Sequence, residues 1–369
     1  MIKFCKKCLM PSTRPRISLN SSNICNACVY KYKNEKINYK KRADELKKIF
    51  DKNKSRGAKY DCIVPWSGGK DSSYIAYQLK FKYGANPLLV TFSPLIPSEV
   101  GKNNRNEMIK LGFDHVMFRP NEKISSYLSK RFLIERGHPK VAWDAGINTI
   151  PIKVALEKNI KLIFYAEHGE SHYGGKILNK DSEKIRDVNE IFEHQIGDDP
   201  NNWLDDVVNE QDIIPYLLPD KKELKKKKIK AYYFAYFDKW DVNRNFEFIK
   251  NKINFKCHEN NRSPGTFTSY DSLDDHIDSI YYHFQYIKFG FGRCWRDASR
   301  HMQLNKLERD KAIKLINEYD HELDDKDLTK TLDYLKMSRL EFFDIIEKHR
   351  NTEIWKKSGN RYKLVNEPE

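Results

Sequence analysis

Residues 61–73, DCIVPWSGGKDSS, join an apolar run to a glycine-rich turn. Its apolar first half is typical of a buried strand, and its second half is a glycine turn that leads into helical spacing. Glycines let the backbone approach an anion closely, and a helix N-terminus adds free N–H groups. We therefore predict an anion-binding strand–loop–helix unit whose contacts come from Ser67, Gly68, Gly69, Lys70, Asp71, Ser72 and Ser73.

The sequence after this unit alternates between strand and helix patterns. Apolar runs at 87–92, 115–118 and 161–165 are separated by stretches with helical spacing, and the chain contains no GxxxxGK[ST] motif. This alternation predicts an α/β fold with a doubly wound parallel sheet, in which ligands bind beyond the carboxyl ends of the strands. After residue 215 the pattern is mostly helical, so we divide the chain into parts 1–35, 36–215 and 216–369.

Four of the seven cysteines form two CxxC knuckles at the N-terminus, namely Cys5, Cys8, Cys25 and Cys28. The spacing is typical of a four-cysteine zinc ribbon, and a redox pair would not need a second copy. Residues 1–35 contain too few apolar side chains to form a core of their own. We therefore predict that they bind a structural Zn²⁺.

Two further segments are rich in polar groups. The segment 167–176 follows the fourth predicted strand, and we interpret it as a substrate-binding loop with contacts from His168, Glu170, Tyr173 and Gly174. The alternatives are metal binding through His168, His172 and the two glutamates, Glu167 and Glu170, or an ordinary exposed loop. In the segment 288–300, Arg293 and Arg300 are candidates for gripping a phosphate or carboxylate. The alternative there is a helix start fixed by an Asp297–Arg300 surface pair.

Composition limits the classes of protein and partner. The chain has 369 residues, 39% of them hydrophobic, and a formal charge of +15 from 67 basic and 52 acidic residues. Much of the excess lies in the run 221–230, which we interpret as a solvated surface; nucleic-acid binding is the less favoured interpretation. The sequence shows neither a membrane-spanning run nor a secretory leader pattern, so we expect a cytoplasmic protein with no membrane partner.

Together these segments resemble the N-acetyl sugar amidotransferases, a family of the PP-loop ATP pyrophosphatases with an adenine nucleotide alpha hydrolase-like fold. The resemblance covers nearly the whole chain. Its marks are the cysteine knuckles, the loop after VPW, LIFYAEHGESHYGG (162–175), YDSLDDHID (270–278) and KFGFGRCWRDASRHMQ (288–303). Such enzymes act in bacterial surface-polysaccharide and flagellar-glycan pathways, including those of pseudaminic and legionaminic acids.

The resemblance implies an activity and a set of roles. The amide oxygen of an N-acetylated sugar or nucleotide sugar would be adenylated by ATP and Mg²⁺, and ammonia would then replace it to give an acetamidino group. Lys70, Asp71 and Glu167 would be catalytic, the loop would hold pyrophosphate, and Thr91 and Phe92 would lie near adenosine. The chain shows no N-terminal nucleophile and no GxCxG elbow, so a separate glutaminase would supply ammonia.

Two other classes of function remain open at this point. A tRNA-modifying PP-loop enzyme would also explain the charge and the zinc ribbon. Thiolating members of that group need cysteines or an iron–sulfur cluster near the loop, and here only Cys62, inside the strand, is close in sequence. A non-catalytic zinc-ribbon interaction module would leave the glycine loop unexplained.

Overall fold

Five parallel strands form the central sheet of the protein, in the order β3-β2-β1-β4-β5. The computed structural model describes residues 1–53, 59–177, 181–187, 191–192, 197–359 and 361–368. The strands are β1 (Cys62–Pro65), β2 (Pro87–Phe92), β3 (His115–Phe118), β4 (Leu162–Tyr165) and β5 (Lys230–Tyr233). The doubly wound parallel sheet predicted from the sequence is thus confirmed.

Helices cover the sheet and make up most of the C-terminal part. They are α1 (Asn26–Glu35), α2 (Tyr39–Asn53), α3 (Lys70–Tyr77), α4 (Glu99–Lys110), α5 (Glu122–Arg136), α6 (Val141–Glu157), α7 (Gly169–Tyr173), α8 (Glu210–Ile213), α9 (Lys221–Lys226), α10 (Phe234–Phe237), α11 (Val242–Lys250), α12 (Ile277–Phe289), α13 (Arg293–Gln303), α14 (Arg309–Tyr319), α15 (Asp325–Leu335) and α16 (Arg339–His349). A π-helical turn (Gln78–Lys82) extends α3, and two 3₁₀ turns lie at Pro200–Trp203 and Ile214–Tyr216. An antiparallel hairpin, β6 (Trp355–Ser358) and β7 (Arg361–Leu364), follows α16.

Side chains on alternate positions of β1 enter two different cores. Cys62 and Val64 pack on the face covered by α3 and α11, whereas Ile63 packs on the face covered by α6. A strand buried on both faces needs a continuous apolar sequence, as the run before the glycine turn has. This double burial fixes the position at which the loop emerges from the sheet.

The sheet continues past residue 215, where the sequence placed the end of the α/β part. β5 pairs with β4 in parallel, with Leu162 opposite Lys230. This strand has four residues and follows a lysine run, so its pattern does not stand out in the sequence. The three-part division of the chain stays a prediction, but its central part shares the sheet with residues from the third.

The N-terminal segment packs against α13. Its cysteines share an apolar cluster with Trp295 and Ala298. The indole N–H of Trp295 donates to the carbonyl oxygen of Leu9 (3.0 Å), and the hydroxyl of Ser299 donates to that of Cys8 (2.7 Å). The knuckles therefore support the helix that carries Arg293 and Arg300. Within the described ranges, no helix has both the length and the apolar composition needed to cross a membrane.

Candidate active site

The glycine loop leaves the carboxyl end of β1 and enters α3 in a conformation that requires glycine. Gly68 has φ +95°, and a Cβ atom there would lie 2.6 Å from Cγ of Arg105. Gly69 precedes α3 and gives it no side-chain cap. The first N–H groups of the helix therefore lack a capping side chain, as a helix N-terminus that receives an anion would.

Two hydrogen bonds hold the loop in place. The Arg105 guanidinium donates to the carbonyl oxygen of Ser67 (3.1 Å). The indole N–H of Trp66 donates to the hydroxyl of Ser73 (2.9 Å), which is fully buried. Ser73 therefore supports the loop from within, while residues 67–72 line the cleft in front of it.

Lys70 is buried between two carboxylates. Its Nζ lies 3.0 Å from Oδ2 of Asp71 and 2.6 Å from Oδ1 of Asp271, and the residue is only 4% exposed. Burial on its own lowers the pKa of Lys70, but the charges of Asp271 and Asp71 outweigh it and raise that pKa above its usual value. Lys70 is thus a fixed positive charge at the loop.

Asp271 ties the loop to the C-terminal part of the chain. Its Oδ1 also lies 3.1 Å from the guanidinium of Arg293. Burial raises the pKa of Asp271, but Lys70 and Arg293 outweigh that effect and hold it well below the usual range, so the group is ionised. Asp271 lies in YDSLDDHID, a segment that the family resemblance includes, but the sequence alone assigns no role to this carboxylate. The feature of the sequence that could have pointed to this residue is the high density of carboxylates in that segment.

The cleft in front of the loop has a volume of about 280 Å³. It is lined by residues 67–72, Gly101, Asn104, Ala166, residues 270–274, Asp278, Tyr282 and Arg293. Burial, and then the neighbouring Asp278, raise the pKa of Asp274 to about 6. Asp71 and Asp274 both line this cleft beside the anion cradle, and carboxylate oxygens are the ligands that Mg²⁺ prefers.

Arg293 and Arg300 lie on one face of α13 and have different neighbours. The Arg293 guanidinium donates to Asp297 (2.9 Å) and to the hydroxyl of Tyr282 (2.6 Å), and Arg293 lines the cleft. Arg300 lies over the ring of Tyr173, 3.9 Å from its centroid, and 3.8 Å from Asp297. Asp297 is 2% exposed, so the Asp297–Arg300 pair exists but is not the surface pair of the alternative interpretation.

Glu167 follows β4 and belongs to the same group of charges. It accepts a hydrogen bond from the hydroxyl of Tyr173. Burial, and then the negative charge of Asp71, raise the pKa of Glu167. A carboxylate with a raised pKa is a stronger base, so its position next to Asp71 suits it to proton transfer.

The rest of the predicted substrate loop contacts the N-terminal segment instead of the cleft. Glu170 pairs with Arg16 through two contacts of 2.8 and 3.0 Å, and the carbonyl oxygen of Gly174 accepts from Arg14 (3.2 Å). His168 is 3% exposed and shares a hydrogen bond of 2.6 Å with Ser171. The contacts of Glu170 and Gly174 thus join this loop to the N-terminal segment, where α7 packs against α1.

Thr91 and Phe92 lie in the interior and do not line the cleft. Thr91 donates to the carbonyl oxygen of Trp66 and is 2% exposed. The ring of Phe92 stacks on Phe118, with centroids 5.8 Å apart, and a Cβ atom at Gly146 would come within 2.4 Å of it. α6 therefore packs on the end of β2, and the contact with adenosine that the family resemblance implies for Thr91 and Phe92 stays a prediction.

The four N-terminal cysteines meet at one point. Their sulfur atoms all lie within 4.8 Å of one another, with Cys8 and Cys25 at 3.6 Å and Cys5 and Cys28 at 3.9 Å. Tetrahedral Zn²⁺ with Zn–S bonds of about 2.3 Å needs sulfurs about 3.8 Å apart. Among the described residues this is the one group of three or more ligating side chains close enough to share an ion.

A buried carboxyl at the start of α13 gives a pH-dependent prediction. Asp320 accepts the N–H groups of Gly292 (2.7 Å) and Trp295 (2.8 Å), and burial raises its pKa to about 7. The folded state thus binds this proton more tightly than the unfolded state, whose carboxyl titrates near 3.8. Ionisation of Asp320 should lower the free energy of unfolding as pH rises from about 4 to about 7.

Asp320→Asn should remove that dependence. We expect the free energy of unfolding to fall less between pH 5 and pH 8 in the variant than in the wild type, by on the order of 2–4 kcal/mol. Denaturant titrations of both proteins at each pH measure the difference. Equal pH dependence in the two would show that Asp320 ionises normally in the folded protein.

Comparisons with known proteins cover parts of the chain. Residues 264–368 match the family model described as LPS biosynthesis protein WbpG-like, C-terminal domain. The uncharacterized protein MJ1599 of Methanocaldococcus jannaschii is 37% identical over 87 residues, 23% of this chain and 31% of that protein. The chain thus spans about a third of the length of this curated relative. The family match supports a role in glycan biosynthesis.

Two solved structures share features with this one. A predicted subunit of tRNA methyltransferase from Methanocaldococcus jannaschii is 20% identical, with a TM-score of 0.25, over 45% of this chain and 74% of that one. NMN synthetase from Francisella tularensis is 11% identical, with a TM-score of 0.31, over 82% of this chain and 98% of that one. Scores this low support no inference about function.

Proposed function

We propose that the protein is an ATP-dependent amidotransferase that converts the acetamido group of a sugar into an acetamidino group in bacterial surface-glycan biosynthesis. One observation carries the proposal. Lys70 of the glycine loop pairs with Asp271, and Asp271 belongs to the region that matches the LPS biosynthesis domain. The cleft between them joins an anion cradle to residues of that domain.

The proposed chemistry overcomes the low reactivity of an amide carbon towards ammonia. An amide carbon is a poor electrophile because its oxygen is a poor leaving group, and transfer of AMP to that oxygen removes the obstacle. Pyrophosphate departs in this first step, and Lys70 and the N–H groups of the loop stabilise its growing charge. Ammonia then attacks the activated carbon, and AMP leaves.

The implied ions fit the groups that the chain offers. Asp71 and Asp274 would hold Mg²⁺, which neutralises charge on the phosphates of ATP. Cys5, Cys8, Cys25 and Cys28 would hold Zn²⁺ in a closed set of four sulfurs with no position left for a substrate. We assign that zinc a structural role. The nitrogen would come from a separate glutaminase.

A direct assay tests the proposed function. Purified protein with Mg²⁺-ATP, ammonium chloride and a panel of N-acetylated nucleotide sugars and nonulosonic acids should release AMP and pyrophosphate. Mass spectrometry should find a sugar product in which NH replaces oxygen. Omission of the sugar should abolish product formation, and glutamine should replace ammonium only when a glutaminase is added.

The same assay recognises the tRNA-modifying alternative. For that class of enzyme, AMP release would depend on tRNA, and added salt would weaken binding steeply because phosphate contacts are screened. AMP release that tRNA stimulates, with no response to any acetamido sugar in the panel, would contradict the proposal.

A further inference from the structure

A second cavity lies between the N-terminal segment and α13. We call it the ribbon cavity, and its walls include Ala27, Tyr30, Asn34, Tyr173, Arg300 and Gln303. Glu35 and Lys239 at its rim are exposed, whereas Ala27 and Tyr30 are buried. The cavity therefore runs inward from the surface of the protein.

The ribbon cavity is linked to a proposed catalytic group through one of its lining residues. Tyr173 lines the cavity, and its hydroxyl donates to Glu167, on which the charge of Asp71 acts. Arg293 lines the cleft and Arg300 lines the cavity, seven positions apart on α13. Seven helical residues span about 10 Å, so one short stretch of α13 forms part of both walls.

The size of the ribbon cavity limits what it can hold. Its volume is about 50 Å³, compared with about 280 Å³ for the cleft. On the same measure one water molecule needs roughly 10–15 Å³, so the cavity holds a few molecules of that size. A pyranose ring or a nucleotide needs several times more room, and ammonia does not.

Charge favours neutral ammonia over ammonium. The Arg300 guanidinium lies over the ring of Tyr173, and Lys31 and Lys239 also line the cavity. Of the acidic lining residues, Glu35 lies at the exposed rim, and Asp241 accepts the N–H groups at the start of α11 and contacts Lys306 (3.3 Å). The positive charge of Arg300 would thus repel an ammonium ion in the cavity. Neutral ammonia would pass without this repulsion.

We propose that the ribbon cavity is the route by which ammonia reaches the activated carbon, a proposal that rests on the proposed function. The nitrogen lone pair forms the new C–N bond, and the C–O bond breaks with its electron pair leaving on AMP. One proton passes from the nitrogen to the Glu167 carboxylate, which leaves the amidinium product. Tyr173 stands between the cavity and Glu167 and positions that carboxylate.

The test is to block the ribbon cavity from two different walls. In Gln303→Trp and Asn34→Trp the indole ring would fill the cavity. Lys33→Trp is the control, because Lys33 is an exposed residue of α1 that does not line the cavity. We expect both blocked variants to raise KM for ammonia, measured with ammonium chloride at fixed pH, by at least about tenfold. Their KM values for ATP and sugar should stay within about twofold of wild type. In Lys33→Trp the KM values for ammonia, ATP and sugar should all stay within about twofold of wild type.

A widened cavity gives the opposite signal. Gln303→Ala should accept methylamine as the nitrogen donor at a rate well above that of the wild type, because the larger amine then has room. Unchanged KM for ammonia in both blocked variants, or a raised KM for the sugar instead, would overturn the proposed route while leaving the proposed function intact. A wild-type protein that forms no amidine from any acetamido sugar would overturn both.

Discussion

Replacing Lys70 by alanine should abolish the release of AMP and pyrophosphate. Lys70 is the buried cation of the loop, held 3.0 Å from Asp71 and 2.6 Å from Asp271, and it would face the departing pyrophosphate. Loss of one preorganised charge or donor at a reacting anion typically costs about 10²–10³ in rate. Single-turnover assays with the substrate that the wild-type protein accepts measure this loss.

The effect on folding has to be measured separately, because Lys70 also balances buried carboxylates. Asp271 keeps its contact with Arg293 in the variant, and Asp71 keeps Asn245, whose amide donates to it at 3.1 Å. We therefore expect a loss of stability below the roughly 3–5 kcal/mol that breaking a buried ion pair can cost. Assays are run well below the melting temperature of the variant.

Lys82→Ala is the matched control for this substitution. Lys82 is exposed on the π-helical turn that extends α3, so its removal changes the same helical segment without touching the cleft. The rate of AMP release by Lys82→Ala should stay within about twofold of the wild-type rate. A Lys70→Ala protein that is folded and retains near-normal turnover would contradict the role given to the loop.

The sequence predicts the loop well because the interactions that form it are local. A buried strand, two glycines and a helix start are consecutive, so one window of residues contains the whole pattern. Asp271 could not be placed in the same way, since it lies 201 positions from Lys70 and meets it only through the tertiary fold. The resemblance to a family marked its segment but did not say which carboxylate reaches the lysine.

The predicted site residues that lie outside the cleft share a physical cause. Phe92 does end a strand at the carboxyl edge of the sheet, but α6 packs closely on its ring through Gly146. Glu170 does lie in a loop after β4, but its carboxylate is paired with Arg16. Position along a parallel strand predicts the edge at which a residue lies, and only packing decides which residues at that edge are covered.

Removal of the N-terminal metal should disable the active site as well as unfold the segment that binds it. In Cys5→Ser/Cys28→Ser two of the four sulfurs are lost, and bound zinc should fall from about one per chain to near zero. Structural zinc contributes on the order of 10 kcal/mol to the folding of small zinc-binding segments, so the knuckles should no longer form. Elemental analysis and thermal unfolding measure both effects.

Loss of the metal site should also destabilise α13, because the cysteine knuckles form hydrogen bonds with this helix. Trp295 and Ser299 would lose their acceptors on Leu9 and Cys8, at 3.0 and 2.7 Å, and Arg293 would no longer be held at the cleft. We expect AMP release to fall by at least about tenfold, together with faster amide hydrogen exchange in α13. Hydrogen exchange reports on this helix independently of activity.

Cys257→Ser is the matched control, because it makes the same chemical change at a half-buried cysteine outside the cluster. It should keep its zinc, its exchange rates in α13 and its activity. A double variant that still binds one zinc per chain would show that the four cysteines are not the metal site. Zinc loss with unchanged hydrogen exchange in α13 and unchanged AMP release would instead show that the N-terminal segment does not support the active site. In that case Arg293 would keep its contacts with Asp271 and Asp297 without the knuckles.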